Sequence, residues 1–211
     1  MITRRTTVAA AGALSVLVTL TGCAAPTPTT ITAGETPSSP ASPTRTPRLV
    51  DESDRPLVAF DPCLDIPDEV LTAAGYDPAT EDNADFAATH FTMLGCSYKG
   101  THRIPGVLAR YGLSVQSANF DFEEEREKAA GNGDDLVLTE LAGRRALLKT
   151  NTSLPYRCGL SVETSYGVLI FGRIHFRDSS APLPESQWCT GIEDTVARIV
   201  AALDEFESRN R

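Results

Sequence analysis

The stretch Cys158-Gly159-Leu160-Ser161-Val162-Glu163-Thr164-Ser165-Tyr166-Gly167-Val168-Leu169-Ile170-Phe171-Gly172-Arg173-Ile174-His175-Phe176 holds two runs of alternating side chains around a break. In the first run Cys158, Leu160 and Val162 share a side. In the second, Val168, Ile170, Gly172, Ile174 and Phe176 form one face, and His175 falls opposite it next to Arg173. Successive side chains of a strand point to opposite faces of the pleat, so a period of two marks a half-buried β-strand. Thr164-Ser165-Tyr166-Gly167 between the runs suits a turn, and the whole stretch reads as an antiparallel hairpin.

The same period extends upstream. Val107, Ala109, Tyr111, Leu113 and Val115 alternate with Leu108, Arg110, Gly112, Ser114 and Gln116, a strand with one wetter face. Further strands are expected at about 90–98, 136–141 and 144–150, with Gly143 turning the last two. Helices bracket this sheet. Ile66 to Ala74 follows Asp65, has Pro67 early and stops at Gly75, and Asp121 to Ala130 ends at Gly131. In the last helix Thr190 and Glu193 fit a capping box, and Ile192, Val196, Ile199, Val200, Leu203 and Phe206 make one apolar stripe that should lie flat on the sheet. The fold class is therefore α+β, an antiparallel sheet flanked by helices.

That domain occupies residues 57–211, the size of one ordinary domain, able to bury roughly 70% of its unfolded surface. Residues 1–22 have the makings of a signal peptide. Arg4 and Arg5 precede an apolar run from Val8 to Leu20, which is shorter than the ~20 residues a membrane span requires. Leu20-Thr21-Gly22-Cys23 resembles the bacterial lipobox, in which the cysteine thiol receives a diacylglyceryl group and becomes the new N-terminus. Two acyl chains hold a protein firmly to a bilayer, where one holds it only marginally. Residues 23–56 then form a tether rich in Pro, Thr and Ser, as in Pro37-Ser38-Ser39-Pro40-Ala41-Ser42-Pro43, too poor in hydrophobes to offset the entropy of ordering. Extended, it would reach on the order of 100 Å, and as a coil nearer 30 Å.

Formal charge is −9, and removal of residues 1–22, which hold Arg4 and Arg5 and no acid, takes it to −11. Such a chain is repelled by phosphate backbones and anionic headgroups, so nucleic acid is excluded as a partner and the lipid alone would hold the protein on the membrane.

With Cys23 acylated, Cys63, Cys96, Cys158 and Cys189 remain. An even number in an oxidising compartment implies two disulfides. Three pairings are possible. Cys63 with Cys96 and Cys158 with Cys189 is preferred, because each bridge ties the edge of a helix to a strand and closes a local loop of similar size. No pair stands at C-x-x-C spacing and no histidine completes a ligand set, so no metal and no cofactor are expected.

Asp61-Pro62-Cys63-Leu64 before a short helix, Gly95-Cys96-Ser97-Tyr98 on a strand, Gly143-Arg144-Arg145-Ala146, Cys158 opening a strand and Cys189 opening the last helix resemble the LprB-like lipoproteins of actinobacteria, a family with a domain of unknown function. The resemblance spans most of 57–211. It implies an envelope lipoprotein without assigned activity and a PsbP-like sandwich, and it offers no catalytic residues.

No nucleophile elbow, Walker loop or dinucleotide glycine pattern occurs, and His90, His102 and His175 lack metal-site spacing. His175 reads as a solvated or hydrogen-bonded strand residue. Gly131-Asn132-Gly133-Asp134-Asp135 reads as a turn and not a calcium loop, since it lacks the EF-hand spacing and closing glutamate. The leading expectation is a non-catalytic, lipid-anchored envelope protein that binds a protein or small ligand outside the cytoplasmic membrane. The alternatives are a carrier or sensor of apolar ligands, using a cleft between sheet and helices, and a wall hydrolase using acids such as Asp121 and Glu163, which would have to converge.

Overall fold

A computed structural model describes residues 50–104, 107–176 and 183–210, the side chains of 102–109 excepted. The signal peptide, Cys23 and the tether up to residue 49 lie outside the described residues, as does the side chain of His102.

Eight strands form one antiparallel sheet: β1 (Tyr76–Asn83), β2 (Phe86–Ala87), β3 (Thr92–Ile104), β4 (Val107–Ala118), β5 (Asp135–Leu141), β6 (Arg144–Thr150), β7 (Arg157–Glu163) and β8 (Val168–His175). Their order is β1-β3-β4-β8-β7-β6-β5, with β2 also on β3. Among the described residues the α-helices are α1 (Pro62–Asp65), α2 (Asp68–Ala73), α3 (Phe122–Gly131) and α4 (Ile192–Arg209). The fold is α+β as the patterning implies, and the β7–β8 hairpin turns at Thr164–Gly167, where Thr164 N–H donates to Gly167 O at 2.9 Å. β1 has no counterpart in the sequence reading, because its Asp, Pro and Glu content looks like loop.

One face of the sheet carries the main core. Leu94, Leu169, Val162 and Ala146 form one transverse row, and Cys96, Val115, Phe171 and Leu160 the next. α4 lies on these rows through Ile192, Val196, Ile199, Val200 and Leu203, each at most 1% exposed. Burying side chains of this size stabilises by roughly 1.5–3 kcal/mol each. The C-terminal half of α4 is tied down by Arg144, which donates to Asp204 at 2.6 Å and Glu207 at 2.7 Å. Among the described residues the opposite face is covered only at one end, where α3 seats Phe122 and Ala129 against Phe120, Leu147 and Val168.

Two local expectations are corrected. The face of β8 turned to α4 is Leu169, Phe171, Arg173 and His175, while Ile174 and Phe176 are 37% and 42% exposed. The polar pair goes inward because the loop before α4 offers backbone acceptors there. The capping box also fails to form. Gly191, in the left-handed region at φ 74°, is the N-cap of α4 with no side-chain cap, and the carbonyl of Thr190 is engaged by Arg173.

Among the described residues, Asp51 already makes contact with the sheet. Its carboxylate accepts from Thr92 Oγ1 at 2.7 Å and from Ser53 N at 2.8 Å, which ties this segment to β3.

Candidate functional site

The face of the sheet that α3 leaves open is a trough of about 1060 Å³. Its floor follows from the alternation. Across five strands the register aligns Ser97, Ser114, Gly172, Gly159 and Lys149 in one row, all on the face opposite the main core. Beside it runs a second row, Lys99, Gly112, Ile174 and Arg157. Small residues at alternate positions of three adjacent strands leave the backbone open to a ligand.

Neighbouring side chains lie close over these glycines. A Cβ on Gly172 would stand 2.7 Å from Ser114 Oγ, one on Gly159 2.9 Å from Lys149 Cε, and one on Gly112 3.3 Å from Phe176 Cζ. Ser114 Oγ donates to Gly172 O at 3.3 Å. Lys149 thus lies flat along the floor instead of standing out of it.

Its ammonium forms an ion pair with Glu125 of α3 and donates to Ser161 Oγ at 2.8 Å, and Ser161 donates to Glu125 Oε1 at 2.7 Å. Glu125 is 5% exposed and Ser161 is fully buried, so the charge of Lys149, which lines the trough, is satisfied from within the protein. Next to it Asn151 donates to Asn132 O at 3.2 Å and Asp134 Oδ1 at 3.0 Å. These bonds fix the Gly131–Asp135 segment as a turn. Ile170, Ile174, Phe176 and Leu154 supply apolar surface, and Thr80, Asp82, Gln116, Lys99 and Arg157 supply polar groups. The surface therefore mixes apolar and polar groups.

The residues singled out in the sequence fall elsewhere. Cys63 is bonded to Cys96, and Cys158 to Cys189, each pair with a Cα–Cα distance of 5.3 Å. Among the described residues the one group of potential metal ligands is Cys63, Glu81 and Cys96. Both sulfurs are used in the disulfide and Glu81 accepts from Tyr98 Oη at 3.1 Å, so this donor set does not suit a metal. Asp121 caps α3 through Glu124 N at 2.8 Å, and Glu163 faces Arg145 at 3.4 Å. The two acids serve separate structural contacts. His90 is exposed.

His175 is 5% exposed and its Nε2 lies 3.1 Å from Trp188 O. Arg173 beside it is 2% exposed and donates to Trp188 O at 2.9 Å and Thr190 O at 2.8 Å, on either side of Cys189. Among the described residues no carboxylate pairs with this guanidinium. Burial pulls its pKa down, opposed by the neighbouring Tyr76 and Tyr111. Burial likewise raises both tyrosine hydroxyls, that of Tyr76 well above its ordinary range. The arrangement fastens the loop that leads into α4.

The trough residues Gly112, Ser114, Gly159 and Gly172 have no place as a site in the sequence reading. The signal was present as small side chains on the wetter face of three strands, and it gains meaning only when the register sets them side by side.

Compared with known proteins, the chain matches one family model, described as protein of unknown function (DUF3558), over residues 18–202. No curated protein and no solved structure matches it.

Proposed function

The chain belongs to DUF3558, a family of proteins of unknown function, and on that footing we propose that its domain is a non-catalytic binding module, displayed outside the cytoplasmic membrane on a diacylglyceryl group at Cys23. The observation that carries this reading is the open trough, floored by Ser97, Ser114, Gly172 and Gly159 and bordered by Lys149, whose charge Glu125 and Ser161 satisfy. It is the size of a small-ligand or short-segment site. Its ligand is a small molecule or a segment of another envelope protein, lying flat on the small-residue floor.

The anchor rests on the apolar run that ends in Leu20-Thr21-Gly22-Cys23, and the family match takes in Cys23 together with the domain. The contexts of Cys63, Cys96, Cys158 and Cys189 support placement among LprB-like envelope lipoproteins of actinobacteria, and a PsbP-like relationship belongs to the same proposal.

The test is capture from native envelopes by crosslinking to wild-type protein and to Ser114→Trp, which fills the floor from a half-buried position. Wild type should enrich a definite ligand that Ser114→Trp does not. Equal recovery by both would remove the trough from the reading, and background alone from wild type would end it. For the anchor, Cys23→Ser should release the protein from membranes; retention would exclude the lipid.

A further inference from the structure

The two edges of the sheet are built differently. β1, at one edge, carries Asp77, Pro78, Glu81 and Asp82, and its pairing with β3 slips between Asp77 and Asp82. Proline, charge and irregular register are the devices by which natural sheets keep an edge from pairing with another chain. β5, at the other edge, has no proline, no lysine and no slip. It pairs with β6 at every residue from Asp135 to Leu141, and among the described residues no strand lies on its outer side. Val137 and Leu138, on opposite faces of this strand, are 57% and 62% exposed. Val137 stands across from Leu148, which packs on the main core, and Leu138 across from Leu147, inside the cluster under α3. Both cores thus run out to this edge and end in uncovered aliphatic side chains.

The hairpin fixes which backbone groups this edge presents. Ala142 and Gly143 both have positive φ, 51° and 76°, as a two-residue type I′ turn requires. Leu141 and Arg144 are then the hydrogen-bonded pair that closes the turn. Because such pairs alternate along an antiparallel ladder, Thr139 with Ala146 and Val137 with Leu148 follow. The N–H and C=O groups of Leu136, Leu138 and Glu140 therefore point away from β6, out of the sheet.

We propose that this edge is an interface between two copies of the chain, in which β5 of each pairs antiparallel with Leu138 opposite Leu138 of the second copy. This register uses all the outward groups. Leu138 exchanges bonds with its own equivalent, and Leu136 with Glu140 in both directions, about six hydrogen bonds in all. It is isologous and closed, so it stops at a dimer. It also sets no acid directly against an acid, since Asp135 meets Leu141 and Glu140 meets Leu136. Val137 gains Thr139 as a neighbour on one face, and the two Leu138 side chains meet on the other.

The test is crosslinking by single cysteines in the full chain. Opposed residues of a hydrogen-bonded pair have Cα atoms about 5.5 Å apart, within disulfide reach of roughly 4.4–6.8 Å. Leu138→Cys should therefore give a covalent dimer on a non-reducing gel after mild oxidation. Glu140→Cys, whose copies would stand about 13 Å apart by strand rise, should stay monomeric. In sedimentation the wild type should be a dimer, and Leu138→Lys a folded monomer with an unchanged circular dichroism spectrum, whose melting temperature no longer rises with protein concentration. Equal crosslinking at both positions, or a wild type that sediments as a monomer, would overturn the interface.

Discussion

The carboxylate of Asp51 accepts a 2.8 Å hydrogen bond from the side-chain amide of Asn119, at the far end of β4, and Asn119 Oδ1 accepts in turn from Thr92 N at 2.9 Å. The segment that leads into the domain is thereby tied to two strands at once. Hydrogen bonds from Ser53, Thr92 and Asn119 hold the Asp51 carboxyl well below the usual carboxylate range. A depressed folded-state pKa contributes stability that is complete above the unfolded value of about 3.9 and is lost as pH falls through the folded value. Stability should therefore be flat at neutral pH and fall in acid. Asp51→Asn should lower the neutral plateau and flatten the acid limb in urea titrations at a series of pH values. Superimposable acid limbs would show that these bonds contribute nothing.

Glu125 and Lys149 form a buried ion pair completed by Ser161. Removing one partner of such a pair leaves an uncompensated charge and costs about 3–5 kcal/mol. Glu125→Ala should destabilise by that amount. Joint replacement with Glu125→Leu and Lys149→Met should cost much less. A double-mutant cycle with no coupling would show that the charges are hydrated and not paired.

Gly167 sits in the β7–β8 turn at φ 153°, and a Cβ there would stand 2.2 Å from Ala118 O and 2.8 Å from Phe120 O. Backbone cannot yield as a flexible side chain does, so Gly167→Ala should destabilise by roughly 2–3 kcal/mol or more. The same turn buries Tyr166, whose hydroxyl is 2.5 Å from Ser117 Oγ. A melting temperature within a degree or two of wild type for Gly167→Ala would contradict this placement of the turn.

The disulfides close loops of similar length, with sequence separations of 33 and 31. The chain-entropy account gives about 3–4 kcal/mol for each. Cys158→Ala with Cys189→Ala, and separately Cys63→Ala with Cys96→Ala, should each lower stability by about that much under oxidising conditions. With wild type and variant both compared in reductant, the difference should nearly vanish. A difference that persists in reductant would assign the loss to side-chain packing instead.

What the sequence disclosed, and what it withheld, has a common physical basis. The hairpin at 158–176, the strands at 136–141 and 144–150 and the apolar stripe of α4 were legible because local periodicity and turn chemistry agree there. The cysteine partners could be chosen from loop size. The buried face of β8 could not, because Arg173 and His175 go inward only where Trp188 and Thr190 present carbonyls to them, a tertiary fact with no trace in the strand's own pattern. β1 was hidden by Asp77, Pro78, Glu81 and Asp82, which suit an edge and look like loop. The trough depends on register across five strands, so Gly112, Gly159 and Gly172 carry no sign of it within their own strands.

The bonds from Arg173 to Trp188 and Thr190 flank the residue that Cys158 holds covalently. A loop secured at three successive positions has no partial release available to it. Its amide protons should trade with deuterium no faster than those at the centre of β8, in contrast to ordinary surface loops, which open and close independently of the whole. The approach to the last helix would then behave kinetically as core, although it has the secondary structure of a connection.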